Sequence, residues 1–336
     1  MQPTTAGERA DPAGWDVARP QRPSRMPGVT MAGFQVPGPL AGGLRVVPHP
    51  AVMLALTFGA GGPVVDDGTG RQQRGSLVAG LGFGLGGAVR VWGEDVGCVQ
   101  VRLSPVVARA ALGASPADLD GAVPLDDLWG RETARLSEQL GDITSWEERF
   151  AFLDAVLLSR CREKAPVDPE VAWAWGRIVA SRGLVRVDRL AAELGWSRKR
   201  LWSRFHAQTG LPPKRAAKLV RFDHAAHRLV AGVGAARVAA DGGYTDQSHL
   251  NRDVMAFTGV TPSTVAGEPF LTVDDRAWTG HVGRKRLANR SSAPEGEHQA
   301  TTGAAGRQPP VGLRGLRRGV RTGDPQRQPA LLDEAP

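Results

Sequence analysis

The chain repeats itself near its C-terminal end. Residues 190–213, "LAAELGWSRKRLWSRFHAQTGLPP", and residues 238–262, "VAADGGYTDQSHLNRDVMAFTGVTP", follow one pattern. Ala191-Ala192 matches Ala239-Ala240, Gly195-Trp196 matches Gly243-Tyr244 and Ser197 matches Thr245, all at an offset of 48. Leu201 then matches Leu250, and Thr209-Gly210 matches Thr258-Gly259, at an offset of 49. The second copy therefore carries one added residue, at the turn or in the first helical turn. Both copies have to bury equivalent positions, and that requirement restricts the fold more than composition does.

Each copy reads as a short helix, a glycine turn and a second helix. In the first, Leu190, Ala191 and Leu194 give the short helix a buried side, and Gly195 permits the tight turn. Trp196 fills the angle between the helices, and Ser197 caps the open N–H groups of the next helix. Leu201 and Phe205 are four apart and face inward. In the second copy Leu250, Val254 and Phe257 take that role. What remains on the outside is polar and basic. Between the copies, "PKRAAKLVRFDHAAHRLVAG" forms one amphipathic helix with Leu219, Phe222, Ala226 and Leu229 on one side. About 17 residues at ~1.5 Å each give roughly 26 Å. That spacer, with the width of each unit, suits two reading helices about one turn of B-DNA apart, on the order of 34 Å.

Charge follows the repeat. Residues 170–266 carry 15 Lys and Arg against 7 Asp and Glu, an excess equal to the +8 of the whole chain. Residues 1–169 carry 16 against 19, and residues 267–336 carry 11 against 8. The surface expected to meet a polyanion thus lies in the repeat segment.

At 336 residues the chain is long enough for two domains with tails. Residues 1–35 lack periodicity and are expected to be disordered. Residues 36–164 are expected to form a regulatory or dimerisation domain of strands followed by helices. "LRVVPHPAVMLALTFGA", "SLVAGLGFG", "AVRVWGE" and "GCVQVRLSP" read as strands, the last with one wet side because Cys98 to Leu103 alternate. "LDDLWGRETARLSEQLG" and "SWEERFAFLDAVLLSRCREK" read as helices, and Trp146, Phe150, Leu153, Leu157 and Cys161 make one stripe on the second. The "APVDP" stretch at 165–169 reads as a linker, 170–266 as the double unit, and 267–336 as a largely disordered basic tail. The fold class expected is α+β, a mixed strand and helix domain followed by an all-α domain.

Other chemistries find little support. There is no GxSxG, no Walker A and no GxGxxG with a following acid, and one helix cannot gather the Ser, His and Asp of "TDQSHLNRD" into a triad. His224 and His227 lie on the linking helix with only Asp223 beside them, short of the three or four ligands zinc takes. Cys98 and Cys161 read as buried free thiols. No enzyme, metal or cofactor is expected. "LVAGLGFGLGGAV" is glycine-rich and shorter than the ~20 residues of a membrane span, and no signal peptide is visible, so a cytoplasmic protein without membrane contact is expected.

"AAELGWS", "TGLPP" and above all "GYTDQSHLNR…TGVTP" resemble the DNA-binding domain of the AraC/XylS family of transcription regulators, over residues 170–265. "CVQVRLSPVVARAALG" and "VPLDDLWG" are similar, less specifically, to N-terminal domains of some members. The resemblance implies a sequence-specific regulator that binds double-stranded DNA, with RNA polymerase and a second copy of the chain as further partners and an effector it does not identify. In the second unit it makes Thr245 the cap and places Gln247, Ser248, His249 and Arg252 at the front of the reading helix. Ser248, His249 and Arg252 best match positions facing DNA. In the first unit Ser197 is the cap, Lys199, Trp202 and Ser203 are the counterparts, and Arg198 and Arg200 hold phosphates. The competing expectation is a nucleic-acid binder without regulatory function, or a protein-interaction adaptor.

Overall fold

The computed structural model describes residues 14–278, apart from 41–42, 69, 88, 120 and 163–166. Short apolar runs punctuated by glycine become nine strands. They are β1 (Asp16–Ala18), β2 (Val29–Pro39), β3 (Leu44–Arg45), β4 (Val52–Phe58), β5 (Gly62–Asp66), β6 (Gln72–Arg74), β7 (Leu77–Ala79), β8 (Arg90–Leu103) and β9 (Ala122–Pro124). All pair antiparallel in one sheet, in the order β1-β2-β8-β4-β7-β9, with β3 and β5 also on β8 and β6 on β5. The sequence segments "AVRVWGE" and "GCVQVRLSP" are thus one long strand, β8, with partners on both sides.

Helices follow: α1 (Pro105–Leu112), a 3-10 turn (Pro116–Asp118), α2 (Asp126–Trp129), α3 (Glu132–Asp142) and α4 (Trp146–Arg162). The stripe on α4 is core, with Phe150, Leu153 and Leu157 buried. Helices α5 (Pro169–Ala180), α6 (Val187–Glu193), α7 (Arg198–Thr209), α8 (Pro213–Val230), α9 (Ala235–Asp241), α10 (Gln247–Thr258), α11 (Pro262–Ala266) and α12 (Pro269–Trp278) complete the α+β fold. One apolar cluster runs from Leu54, Val99 and Val101 in the sheet, through Leu153 of α4, to Phe205 and Phe222 in the helical half. No described helix is long and apolar enough to cross a membrane.

Four expectations change. Residues 14–35 are not structureless, since β1 and the first part of β2 lie there; residues 1–13 fall outside the described chain. The reason is tertiary. β8 offers β2 an edge, Met31, Phe34 and Val36 are buried, and Gly33 leaves room for Trp146, whose ring a Cβ would approach to 2.4 Å. The side of β8 expected to be wet is covered. Cys98 packs with Ala32, Phe34 and, from α12, Val273 and Ala277, and burial pushes its thiol up to about 12. Residues 269–278, read as tail, are helix α12, which begins at Pro269 and lays Val273 and Ala277, four apart, against that side of the sheet. Residues 279–336 fall outside the described residues. In the 165–169 linker, Val167 is buried and Pro169 already opens α5, while 165–166 lie outside the described residues.

Candidate nucleic-acid interface

Each reading helix is fixed from its inner side and its ends. For α7, Leu201 and Phe205 are fully buried, and the Phe205 ring lies 6.5 Å from that of Trp175 on α5. Gly195 turns the chain at φ +64°, and the Trp196 N–H donates to the Ala191 carbonyl at 2.9 Å. Ser197 caps the helix, its Oγ accepting from the Arg200 N–H at 3.2 Å. Gly210, left-handed at φ +86°, ends it.

For α10, Leu250 and Val254 are fully buried, and Phe257 stacks at 4.7 Å on Phe222 of α8. Gly243 turns at φ +71°, and the buried Tyr244 donates its N–H to the Ala239 carbonyl at 3.1 Å. The cap is Asp246 rather than Thr245: its carboxylate accepts from the His249 N–H at 2.7 Å. Trp196 and Tyr244 stand 48 apart but the caps Ser197 and Asp246 stand 49 apart, so the added residue lies in the turn just ahead of the helix. A carboxylate accepts there from a backbone N–H more strongly than a hydroxyl does, which displaces Thr245 from that role.

The residues read as contacts divide by surroundings. Arg198, Lys199, Arg200, Trp202 and Ser203 are exposed on α7, and Gln247, Ser248 and Arg252 on α10, with Thr245 exposed ahead of it. Trp202 is 51% exposed and stacks on His206 at 5.0 Å. Arg198 pairs loosely with Asp188 at 3.3 Å, and the Arg200 guanidinium sits 4.6 Å from the Trp196 ring. Arg252 Nε donates to the Ser248 carbonyl at 3.4 Å. His249 differs. Its Nδ1 lies 3.4 Å from both the amide and the hydroxyl of Thr245, and its ring meets Tyr244 edge-on at 5.3 Å. It is half-buried and knitted into the turn.

Sequence reasoning passed over Asp253, which locks the second unit to α8. Buried, it accepts from Arg221 Nη2 at 2.6 Å and from Lys218 Nζ at 3.2 Å. Arg221 also lies 4.4 Å from the Tyr244 ring, and burial pushes the Tyr244 hydroxyl up to about 12. The signal available was an acid on the inward face of α10 facing the basic "KLVR" stretch of α8.

Both Thr-Gly exits rest on the sheet half. Thr209 and Thr258 are fully buried and donate their hydroxyls back to the carbonyls of Phe205 and Val254, at 2.9 and 2.7 Å. At the first exit Ser115 Oγ donates to the Ala207 carbonyl at 2.9 Å, and a Cβ on Gly210 would come within 2.8 Å of the Pro116 carbonyl oxygen. At the second, the Gly86 N–H donates to the Phe257 carbonyl at 3.0 Å and Arg45 reaches the Thr258 carbonyl at 3.2 Å. A Cβ on Gly87 would collide with the Thr258 oxygen at 1.6 Å. These contacts lie at the C-terminal ends, and the fronts of α7 and α10 are exposed.

Residues 190–267 match the helix-turn-helix domain family. No curated protein matches the chain. Among solved structures, ToxT from Vibrio cholerae O395 is similar at 11% identity over 74% of this chain and 98% of that one, with a TM-score of 0.42. The AraC-like transcriptional activator CuxR is similar at 16% over 73% and 98%, with a TM-score of 0.28. The C-terminal domain of AraT, a response regulator from Geobacillus stearothermophilus, is similar at 20% over 30% and 85%, with a TM-score of 0.28. With all three TM-scores under 0.5, the assignment rests on the family match and on the two capped units described above. Residues 190–267 are an AraC-type helix-turn-helix domain, the DNA-binding module of transcription regulators.

Proposed function

We propose that the chain is a sequence-specific transcription regulator that reads two adjacent major-groove segments of duplex DNA, one with α7 and one with α10. The observation that carries this is the pair of capped helices with open fronts, joined by the single helix α8. At 18 residues α8 spans roughly 27 Å, which with the width of the units suits segments about one helical turn, ~34 Å, apart. Lys199, Trp202 and Ser203 face base edges from α7, and Gln247, Ser248 and Arg252 from α10. Arg198 and Arg200 hold phosphates. Ser197 and Thr245, at the helix entrances, lie where N-terminal N–H groups receive a phosphate. His249 serves by fixing the turn that aims α10. The domain boundaries fall at the 165–169 stretch and after α12, and a second copy of the chain and RNA polymerase are the proposed protein partners.

The sheet half supplies regulation in this reading. It holds a partly open apolar cavity of about 110 Å³ lined by Phe34, Leu44, Met53, Val65 and Phe83, with His49 and Asp274 also in its lining. An apolar small molecule would suit it.

The test is selection of the full chain on random duplexes. A motif of two parts about one turn apart (on the order of 10 base pairs) is expected. With ~5 phosphates neutralised, log affinity should fall against log salt with a slope of −4 to −5. Salt-dependent binding with no selected motif would instead support a non-regulatory binder, and no duplex binding would leave an adaptor.

A further inference from the structure

We infer that the described residues build a site for one divalent transition metal of the zinc class, where the sheet half meets the helix between the two reading units. Its ligands are His49 from the loop between β3 and β4, His227 from α8 and Asp274 from α12. One donor atom of each lies within 4.8 Å of the others. His49 Nε2 is 3.5 Å from Asp274 Oδ1, and His227 Nε2 is 3.6 Å from Asp274 Oδ2. Tetrahedral zinc with nitrogen and oxygen ligands at ~2.0–2.1 Å sets neighbouring donors roughly 3.3–3.4 Å apart, so each imidazole already stands near that distance from one carboxylate oxygen, and the three donors, within 4.8 Å, draw together to close around an ion.

The surroundings match the chemistry. His49 Nδ1 lies 2.8 Å from the Asp223 carboxylate, and donating its proton there turns Nε2 toward Asp274. A carboxylate on the far nitrogen of a ligating imidazole fixes its tautomer and raises its basicity. Nε2 then faces the buried Asp274 carboxylate with its lone pair, the orientation a ligating imidazole takes toward a shared ion. Arg102 donates to Asp274 Oδ1, leaving Oδ2 on the His227 side. His49 and Asp274 also line the apolar cavity, which offers access and room for a fourth ligand, water or an exogenous donor. The donor set, two imidazoles and a carboxylate, suits zinc, nickel or iron over magnesium or calcium. His49 and His227 come from opposite halves of the chain, so a bound ion would cross-link the sheet to α8.

The experiment uses the full chain stripped by chelator, titrated with Zn²⁺ by calorimetry and with Co²⁺ for its visible absorption. Expected is one equivalent of tight uptake, a melting temperature that rises with Zn²⁺, and a four-coordinate cobalt spectrum. His227→Gln should lower affinity at least 100-fold while keeping the fold, since this side chain is partly exposed. Asp223→Asn should lower it about 10–100-fold, as expected for loss of an outer partner. His224→Gln, one helical turn back and turned to Arg182 at 3.5 Å rather than to the ligands, should leave it unchanged. If the wild-type chain takes up no stoichiometric metal, a proton on His49 bridges the two carboxylates and the proposal is wrong. It is equally wrong if His227→Gln binds as the wild type does, because the uptake then lies elsewhere.

Discussion

Arg204 in α7 stands where Asp253 stands in α10, 49 residues on. The first is exposed and reaches out to Asp168 just before α5; the second is buried and holds two cations of α8. One frame has therefore been attached in two ways. The first unit depends on apolar contact, with Phe205 against Trp175, and its ion pair is peripheral. The second adds to the Phe257–Phe222 stack a desolvated cluster of Asp253, Arg221 and Tyr244. Equivalent positions in a repeat need not carry equivalent energy. What they share is the path of the chain.

The largest expected effect tests that asymmetry. Asp253→Ala leaves the mostly covered Arg221 guanidinium without its carboxylate and should cost about 3 kcal/mol, whereas Arg204→Ala removes an exposed pair and should cost ~0–1 kcal/mol. Urea unfolding of the two variants decides it, and equal losses would break the comparison.

A second difference appears in alkali. Tyr244 has Trp196, which does not titrate, as its counterpart. Its folded value of about 12 lies above the ordinary 10, so the stabilisation of the neutral hydroxyl is complete below pH 10 and is lost as pH rises to 12. That difference corresponds to roughly 2–3 kcal/mol. Tyr244 is the only tyrosine, so tyrosinate absorbance reports it directly, and Tyr244→Phe should flatten the loss of stability in that window. An absorbance midpoint near 10 in the folded protein would contradict this.

On DNA, Arg252→Ala should relax preference at one or two base pairs by ~1–3 kcal/mol. Arg198→Ala should weaken all sequences alike and reduce the salt slope by about 1. Should Arg252→Ala lower thermal stability and leave the selected motif intact, Arg252 supports its helix instead of reading bases.

The smallest effect sharpens the alignment of the copies. Ser197→Ala and Asp246→Ala should each cost about 1 kcal/mol, and Thr245→Ala less than about half of that. The reverse order would return the second cap to Thr245.

What could be read from the sequence was local. Helical periodicity, glycine turns and Thr-Gly exits operate within a few residues, so α6 to α10 were legible, and with them the outward residues of α7 and α10. The inward set of α8 was legible too: Leu219, Phe222, Ala226 and Leu229 are all buried. What escaped depends on distant partners. The start of β2, which follows the Pro- and Arg-rich stretch 19–28, becomes a strand because β8 lies beside it, and the Cys98 side of β8 is covered by Val273 and Ala277 of α12, far along the chain. Thr245 was the cap expected from the match to Ser197, and the turn's added residue gives the role to Asp246. His227 shows no partners beyond Asp223 in the local sequence, yet the fold brings His49 and Asp274 to it.

The two Thr-Gly exits have a mechanical consequence. One is clasped by the turn at Ser115 and Pro116, the other by Gly86, Gly87 and Arg45, and α8 braces the pair from between. Three members fastened at shared joints make a truss, in which no strut shears while the others hold. With both clasps closed, the pitch between α7 and α10 is set by the sheet as much as by α8.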